Sequence, residues 1–368
     1  MAYNRKQRLN DNIKAIETAF ILDREQRTPT ARERLLLERY CGFGGLKCIL
    51  NPARELADAV HWAKSDLELF APTVELHRLI RENSKNESEY KQLMDSLKQS
   101  VLTAFYTPSA ITEALTDVLK EHQIIPEKVL EPSAGIGAFV DSVLDNNPKA
   151  DIMAFEKDLL TGKILRHLHP EQKVRIEGFE KIEKPFNDYF DLAISNIPFG
   201  DVAVFDPSYT AMKGMRTLVT RRIHNYFFVK ALDTVRDGGL VAFITSQGVL
   251  NAKNNSAARF MMLYHADLVS AIRLPNNLFT ENANTEVGSD LIILQKNSQK
   301  ESLRGDDNLL DTVYNDENRI PTNNYFLEHP ERIIHTTAKL DTDPFGKPAM
   351  IYTHEDGVEG IAEDLRKT

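Results

Sequence analysis

The sequence predicts an α/β fold, a Rossmann-like and mostly parallel sheet behind a helical N-terminal region. Three observations carry this. From about residue 107 short β-like runs alternate with helical patterns, which is the signature of a sheet covered on both faces. The run Val129-Leu130-Glu131 breaks at Pro132 into a turn holding Gly135 and Gly137, and the helical start Phe139, Val140, Val143, Leu144 follows. Residues 11 to 98 carry helical spacing instead, with Ile13, Ile16 and Phe20 recurring on one face.

Element by element, Thr30-Ala31-Arg32-Glu33 reads as a capping-box start. Asn51-Pro52 reads as an N-cap with proline in the first helical turn. Asn83 to Glu89 is polar, either a loop or the charged middle of a helix. Arg24, Arg27, Arg32, Arg34 and Arg39 alternate with acids and read as a solvated helix face. Beyond Lys296 the pattern weakens: residues 297 to 324 are polar and loop-like, and a short tail of strand-like pieces follows. The expected organisation is a helical region over 1–100, an α/β domain over 101–300 and a C-terminal extension over 301–368.

Composition narrows the class. The chain has 368 residues, 42% of them apolar, and no apolar run of membrane length, so a globular protein without a membrane partner is expected. Met1 to Asn12 is polar and basic without an apolar core, which predicts no signal peptide and a cytoplasmic location. Cys41 and Cys48 flank a Gly-rich turn with no second Cys/His pair at ligand spacing, so no metal site is predicted. A formal charge of −9 is awkward for a nucleic-acid partner, whose affinity comes from neutralised phosphates. Locally the balance reverses: Lys213, Arg216, Arg221, Arg222 and His224 crowd one segment.

That segment follows the most chemically specific stretch of the chain. The apolar run Asp191 to Ser195 ends abruptly in Asn196-Ile197-Pro198-Phe199. The Asn196 side-chain oxygen and the Ile197 carbonyl can accept both hydrogens of an exocyclic amino group, Pro198 fixes the turn, and Phe199 offers a stacking face. Glu131, with Ser133 beside it, places a carboxylate where the first strand ends. This carboxylate would repel a pyrophosphate and suits a ligand bearing a positive amino group. Neither a third glycine nor Gly-Lys-Ser/Thr is present for a phosphate cradle. Some twenty residues on, Ile152 to Phe155 reads as a second strand ending in Glu156, placed to hydrogen-bond a ribose diol. A glycine turn, then an acid, then Asn-x-Pro-Phe spells S-adenosylmethionine followed by an amino-group acceptor.

In this order the motifs resemble those of amino-group methyltransferases of the N6-adenine class, over most of residues 100 to 296. Phe105-Tyr106-Thr107-Pro108 resembles the element that closes over the methionine end of the cofactor, Glu131 to Phe139 the cofactor loop, Glu156 the ribose ligand and Asn196 to Phe199 the catalytic tetrapeptide. Tyr226 to Leu232, Asp237 to Thr245, Arg273-Leu274-Pro275 with Phe279, and Asp290 to Leu294 resemble the elements that follow. A narrower resemblance, through Tyr40 to Leu46, the Asn-Ile-Pro-Phe-Gly variant and Tyr325 to Glu331, is to the methylase part of large methylase–helicase proteins of bacterial conjugative elements and phages.

The resemblance implies a seven-stranded sheet and methyl transfer from S-adenosylmethionine to N6 of a flipped-out adenine in DNA. The setting would be restriction–modification or a mobile element, with a specificity or helicase subunit or domain as a further partner. It implies that Phe199 and Phe279 sandwich the base and that Lys213, Arg216, Arg221 and Arg222 meet the strand backbone. Two departures stand out. Ile197 replaces the commoner first proline, where only a backbone carbonyl is needed, and Gly178 stands where related enzymes often place an Asp that touches the cofactor adenine. Phe179 packing on that ring, with a backbone group or a nearby Glu as the polar contact, is the expected substitute. Methylation of RNA or of a protein glutamine, and an inactive cofactor- or DNA-binding subunit, are the alternative readings.

Overall fold

The computed structural model describes residues 4–103, 106–212, 214–280, 286–303, 305–314, 319–343 and 346–368. At its centre lie seven strands, β1 (Lys128–Glu131), β2 (Asp151–Phe155), β3 (Lys173–Arg175), β4 (Phe190–Asn196), β5 (Val235–Ser246), β6 (Ala266–Leu274) and β7 (Ser289–Lys296). Their order is β3-β2-β1-β4-β5-β7-β6, with β7 antiparallel to both neighbours and the other pairings parallel. The sheet is the one expected. Chain order reverses between β1 and β4, which opens a crevice above the carboxyl ends of these two strands. Glu131 and Asn196 are the last residues of β1 and β4 and so stand at that crevice.

The strands read as near-continuous apolar runs because both faces are covered. Leu130, Met153, Phe155, Ala193 and Phe243 face a core shared with the helices Ile223–Thr234 and Ser256–His265. Their sequence neighbours Val129, Ile152, Ala154, Leu192 and Ala242 face the other way, toward the helices Ser109–Glu121, Ala138–Asn146 and Gly357–Lys367. In register across β6 and β7, buried Arg273 grips Asp290 (Nε–Oδ1 2.9 Å), and its guanidinium lies 4.1 Å from the centre of the Phe326 ring. This ties the strand pair to the tail.

The N-terminal helices Arg5–Glu25, Ala31–Leu37, Phe70–Glu82 and Glu87–Thr103 share a third core with Leu160, Ile164 and Leu168 of the helix Leu159–Leu168. The helical region is therefore seated on the α/β unit. Thr30 and Glu33 form the expected capping box. Asn51-Pro52 does not start an α-helix: Asn51 ends a short 3₁₀ turn, Lys47–Leu50, and the Pro52 carbonyl accepts the Trp62 indole N–H at 2.8 Å. The stretch to Leu69 runs in two 3₁₀ turns, with Leu56 and Val60 exposed and only Trp62 and Leu69, at the turns' ends, buried. The polar stretch from Asn83 is a break between helices, since the next one begins at Glu87. The tail holds the strands Thr337–Thr342 and Pro348–Thr353 but ends in the helix Gly357–Lys367, which lays Val358, Ile361, Ala362 and Leu365 into the core beside Ser109–Glu121. No described helix is long and apolar enough to cross a membrane.

Candidate active site

The crevice holds a narrow cavity of about 40 Å³ whose lining includes Tyr106, Thr107, Glu131, Ser133, Gly135, Phe139 and Asn196. Seven residues picked out from the sequence thus meet in one place. Pro108 adjoins them as the N-cap of Ser109–Glu121. Phe105 and Lys213 lie outside the described residues.

The loop after β1 owes its shape to two glycines with left-handed backbone, Gly135 (φ +56°) and Gly137 (φ +97°). Neither has room for a side chain. A Cβ on Gly135 would stand 2.9 Å from the Tyr106 ring, and one on Gly137 only 2.4 Å from Nε2 of His169. Burial pushes the His169 imidazole down to about 4, so a neutral ring packs under the loop. Tyr106 lies across Gly135, and its hydroxyl meets Thr161 Oγ1 at 3.3 Å; the Tyr40 hydroxyl meets the same atom, also at 3.3 Å. The Gly-rich segment near residue 40 thereby braces the ring that closes the cleft, and neither Tyr40 nor Thr161 carried a local signal of this.

Two carboxylates frame the loop. Glu131 is 1% exposed and accepts the Ser133 N–H at 3.1 Å. Glu156, half-buried, accepts the Gly135 N–H at 2.8 Å and the Asp158 N–H at 2.7 Å. Desolvation pushes each up to about 8, helped at Glu156 by the Asp158 carboxylate, and these hydrogen bonds only partly offset it. Asp158 caps the next helix by accepting the Thr161 N–H at 2.7 Å, which leaves Glu156 turned to the glycine loop.

Asn196 ends β4, and the Ile197 N–H donates to the Ile244 carbonyl at 3.0 Å, pinning the turn to β5. Ile197 is buried, whereas Phe199 is half-exposed. Phe279 is wholly buried and meets Phe199 edge-on, 6.2 Å between ring centres at 77°. That geometry gives Phe279 the role of backing Phe199 rather than offering its own face. Phe179 is also buried, among Phe155, Tyr226 and Phe227. Beside it, a Cβ on Gly178 would fall 2.2 Å from Oε2 of Glu180: the carboxylate two residues on occupies the space where an acidic side chain at 178 would begin.

The basic cluster does not act as one surface. Arg216 clamps Asp233 with both Nη atoms (2.5 and 2.9 Å), and Arg222 holds Asp201 at 2.6 Å. Arg221 is exposed, without a side-chain partner among the described residues. Burial pushes buried His224 down to about 4.

The sequence profile of N-6 DNA Methylase matches residues 88–352. Among curated relatives, "Defense against restriction protein B" of Escherichia phage P1 is 29% identical over 201 residues, 53% of this chain and 8% of that protein. "Type II methyltransferase M.XamI" of Xanthomonas campestris pv. amaranthicola is 25% identical over 173 residues, 44% of this chain and 33% of that protein. The chain thus spans a third or less of the length of these two relatives. Among solved structures, a modification subunit ascribed to a type I restriction enzyme of Vibrio vulnificus YJ016 superposes with a TM-score of 0.46 at 15% identity, covering 79% of this chain and 67% of that one.

Proposed function

The chain belongs to the N-6 DNA methylase family, and from that premise we propose that it methylates N6 of adenine in DNA, using S-adenosylmethionine and a base turned out of the stack. One observation carries the reading: Glu131, the glycine loop and Asn196 line a single cleft. A donor for the loop and an acceptor amine for Asn196 therefore meet.

The donor set fits the cofactor. Two carboxylates that burial has left short of charge, Glu131 and Glu156, suit an amino group and a ribose diol and oppose a phosphate. Tyr106, Thr107, Pro108, Ser133, Gly135, Gly137 and Phe139 would shape the rest of the seat, and Glu180 the contact to the adenine amino group. The cleft is narrow, about 40 Å³, and half open to solvent, so the cofactor would lie partly outside it along the rim that Tyr106 and Thr107 form. Bound there, S-adenosylmethionine supplies a methyl group on an electrophilic sulfonium.

The chain's own residues do the rest. The Asn196 side-chain oxygen and the Ile197 carbonyl accept the N6 hydrogens, aim the nitrogen lone pair and stabilise the positive charge that grows on it. Pro198 holds the turn, and Phe199, backed by Phe279, stacks on the base. Arg221 meets the strand backbone, with Arg216 and Arg222 shaping the segment through their ion pairs. DNA modification in a restriction or mobile-element setting accords with the names of the two relatives; a cytoplasmic location, and site choice shared with a further subunit or domain, complete the reading. The test is transfer of labelled methyl from S-adenosylmethionine to unmethylated phage DNA, RNA and protein. Label on adenine N6 is expected; label on a protein glutamine or on RNA with none on DNA overturns the assignment.

A further inference from the structure

We propose that a second cavity, apart from the cofactor cleft, receives an unstacked nucleotide of the DNA strand that carries the target adenine. This rests on the adenine-in-DNA reading above. The cavity encloses about 400 Å³, which falls in the ~300–1,000 Å³ range of small-ligand pockets. Leu218, Val219, Ala257 and Ala258 give it apolar walls, and Arg221 and Asn225 stand among its polar groups.

Its place in the fold points to the strand. Asp201, on its rim, follows Asn196 by five residues, so the two lie at most about 18 Å apart. The helices Ile223–Thr234 and Ser256–His265 both begin there, and their positive ends favour a phosphate. Arg221 adds a cation without a partner among the described residues, while the one carboxylate on the rim, Asp201, is tied to Arg222 at 2.6 Å. In the wall, Asn225 is 4% exposed, and its Oδ1 has no hydrogen-bond partner among the described residues. An unsatisfied buried amide oxygen of this kind calls for a polar neighbour. The same segment offers Val202, Phe205, Met212 and Met215 to solvent, Phe205 at 77%. Apolar side chains of this kind wedge between or stack on bases where a duplex is opened. An anionic strand with exposed base faces matches these features together; an apolar protein segment would leave the cation and the helix ends unanswered.

The experiment uses the intact chain with long unmethylated duplex DNA in which 4-thiothymidine replaces part of the thymidine. Photo-crosslinked peptides are mapped by mass spectrometry, and methylation kinetics are compared for wild type, Ala257→Trp, which fills the cavity, and Arg221→Gln, an exposed change that cannot upset a core. Crosslinks within residues 201–225 or 254–258 are expected. In both variants KM for DNA should rise, about tenfold or more in Ala257→Trp, with S-adenosylmethionine affinity unchanged as proof of folding. Wild-type DNA kinetics in both variants, or crosslinks confined to other segments while DNA is methylated, overturns the proposal. Crosslinks in the cavity with no adenine methylation by wild type would instead sink the functional reading and leave the cavity's occupant standing.

Discussion

Glu156 offers the most direct test of where the cofactor sits. Its carboxylate accepts two backbone N–H groups yet is held at about 8 by desolvation and the Asp158 charge. At pH 7 a group with that pKa is about one-tenth ionised, and a ribose diol that donates to the ionised form must first drive off the proton. One pKa unit is about 1.4 kcal/mol, so binding at pH 7 is weakened about tenfold relative to its alkaline limit. The sign follows: affinity for S-adenosylmethionine rises with pH, by up to about tenfold per unit below 8, until the ligand's own α-amino group, with a pKa of about 8, loses the charge that Glu131 recognises. Glu131, held at about 8 chiefly by desolvation and in smaller part by the Glu156 charge, adds a second proton if it too ionises on loading. The assay is calorimetry from pH 6 to 9 in pairs of buffers with different ionisation enthalpies, which counts protons released. Between one and two are expected near pH 7, and Glu156→Gln should release fewer with a flatter profile. Constant affinity over this range with no proton exchange would refute the placement of both acids in the cofactor site.

Three further outcomes are expected. Asn196→Ala should lower single-turnover methylation about a hundred- to a thousandfold with cofactor affinity intact, as removal of one preorganised charge-stabilising group does; a wild-type rate would make this strand end a mere turn. Glu180→Ala should weaken S-adenosylmethionine binding about tenfold, the loss of one charge-assisted hydrogen bond, while Glu180→Gln, which keeps an acceptor, loses less; equal affinity in all three would remove Glu180 from the adenine contact. Gly137→Ala, strained at φ +97° and driven onto His169, should cost roughly 1–3 kcal/mol, seen as a lower Tm and weaker cofactor binding, and an unchanged Tm would contradict the loop geometry.

What could be read from the sequence was local, and what could not depended on distant partners. Glu131 and Asn196 were legible because a carboxylate and an amide that end apolar runs must sit at strand ends, and in a parallel sheet those ends share one edge. Thr30 and Glu33 were legible because a capping box closes within four residues. Asn51-Pro52 misled because the same dipeptide that opens a helix also closes a turn, and only Trp62 bonding to the Pro52 carbonyl decides between them. The burial of Phe279 and the pairing of Arg216 with Asp233 were invisible for the same reason. A ring or a guanidinium declares its chemistry in the sequence but not whether another residue has already claimed it. Glu180 is the intermediate case: an acid near Gly178 could be named, and only the backbone shows it folding into the vacant space.

That claim on charges reshapes the electrostatic argument as well. Five cationic or titratable residues crowd positions 213 to 224 in a chain whose formal charge is −9, and counted as free they would give a substantial phosphate grip. In the fold Arg216 and Arg222 are neutralised by Asp233 and Asp201, and His224 is buried and uncharged at neutral pH. Of the described members only Arg221 would remain to release a counterion on DNA, which would add about one to the salt slope. On the DNA reading proposed above, the exposed Val202, Phe205, Met212, Met215 and Leu218 of the same segment would contribute through base faces instead, a term that salt does not screen. On that reading the ion pairs of Arg216 and Arg222 hold the apolar segment in place, so the arginines that look like DNA ligands in the sequence would act chiefly as a scaffold for the apolar side chains that stack.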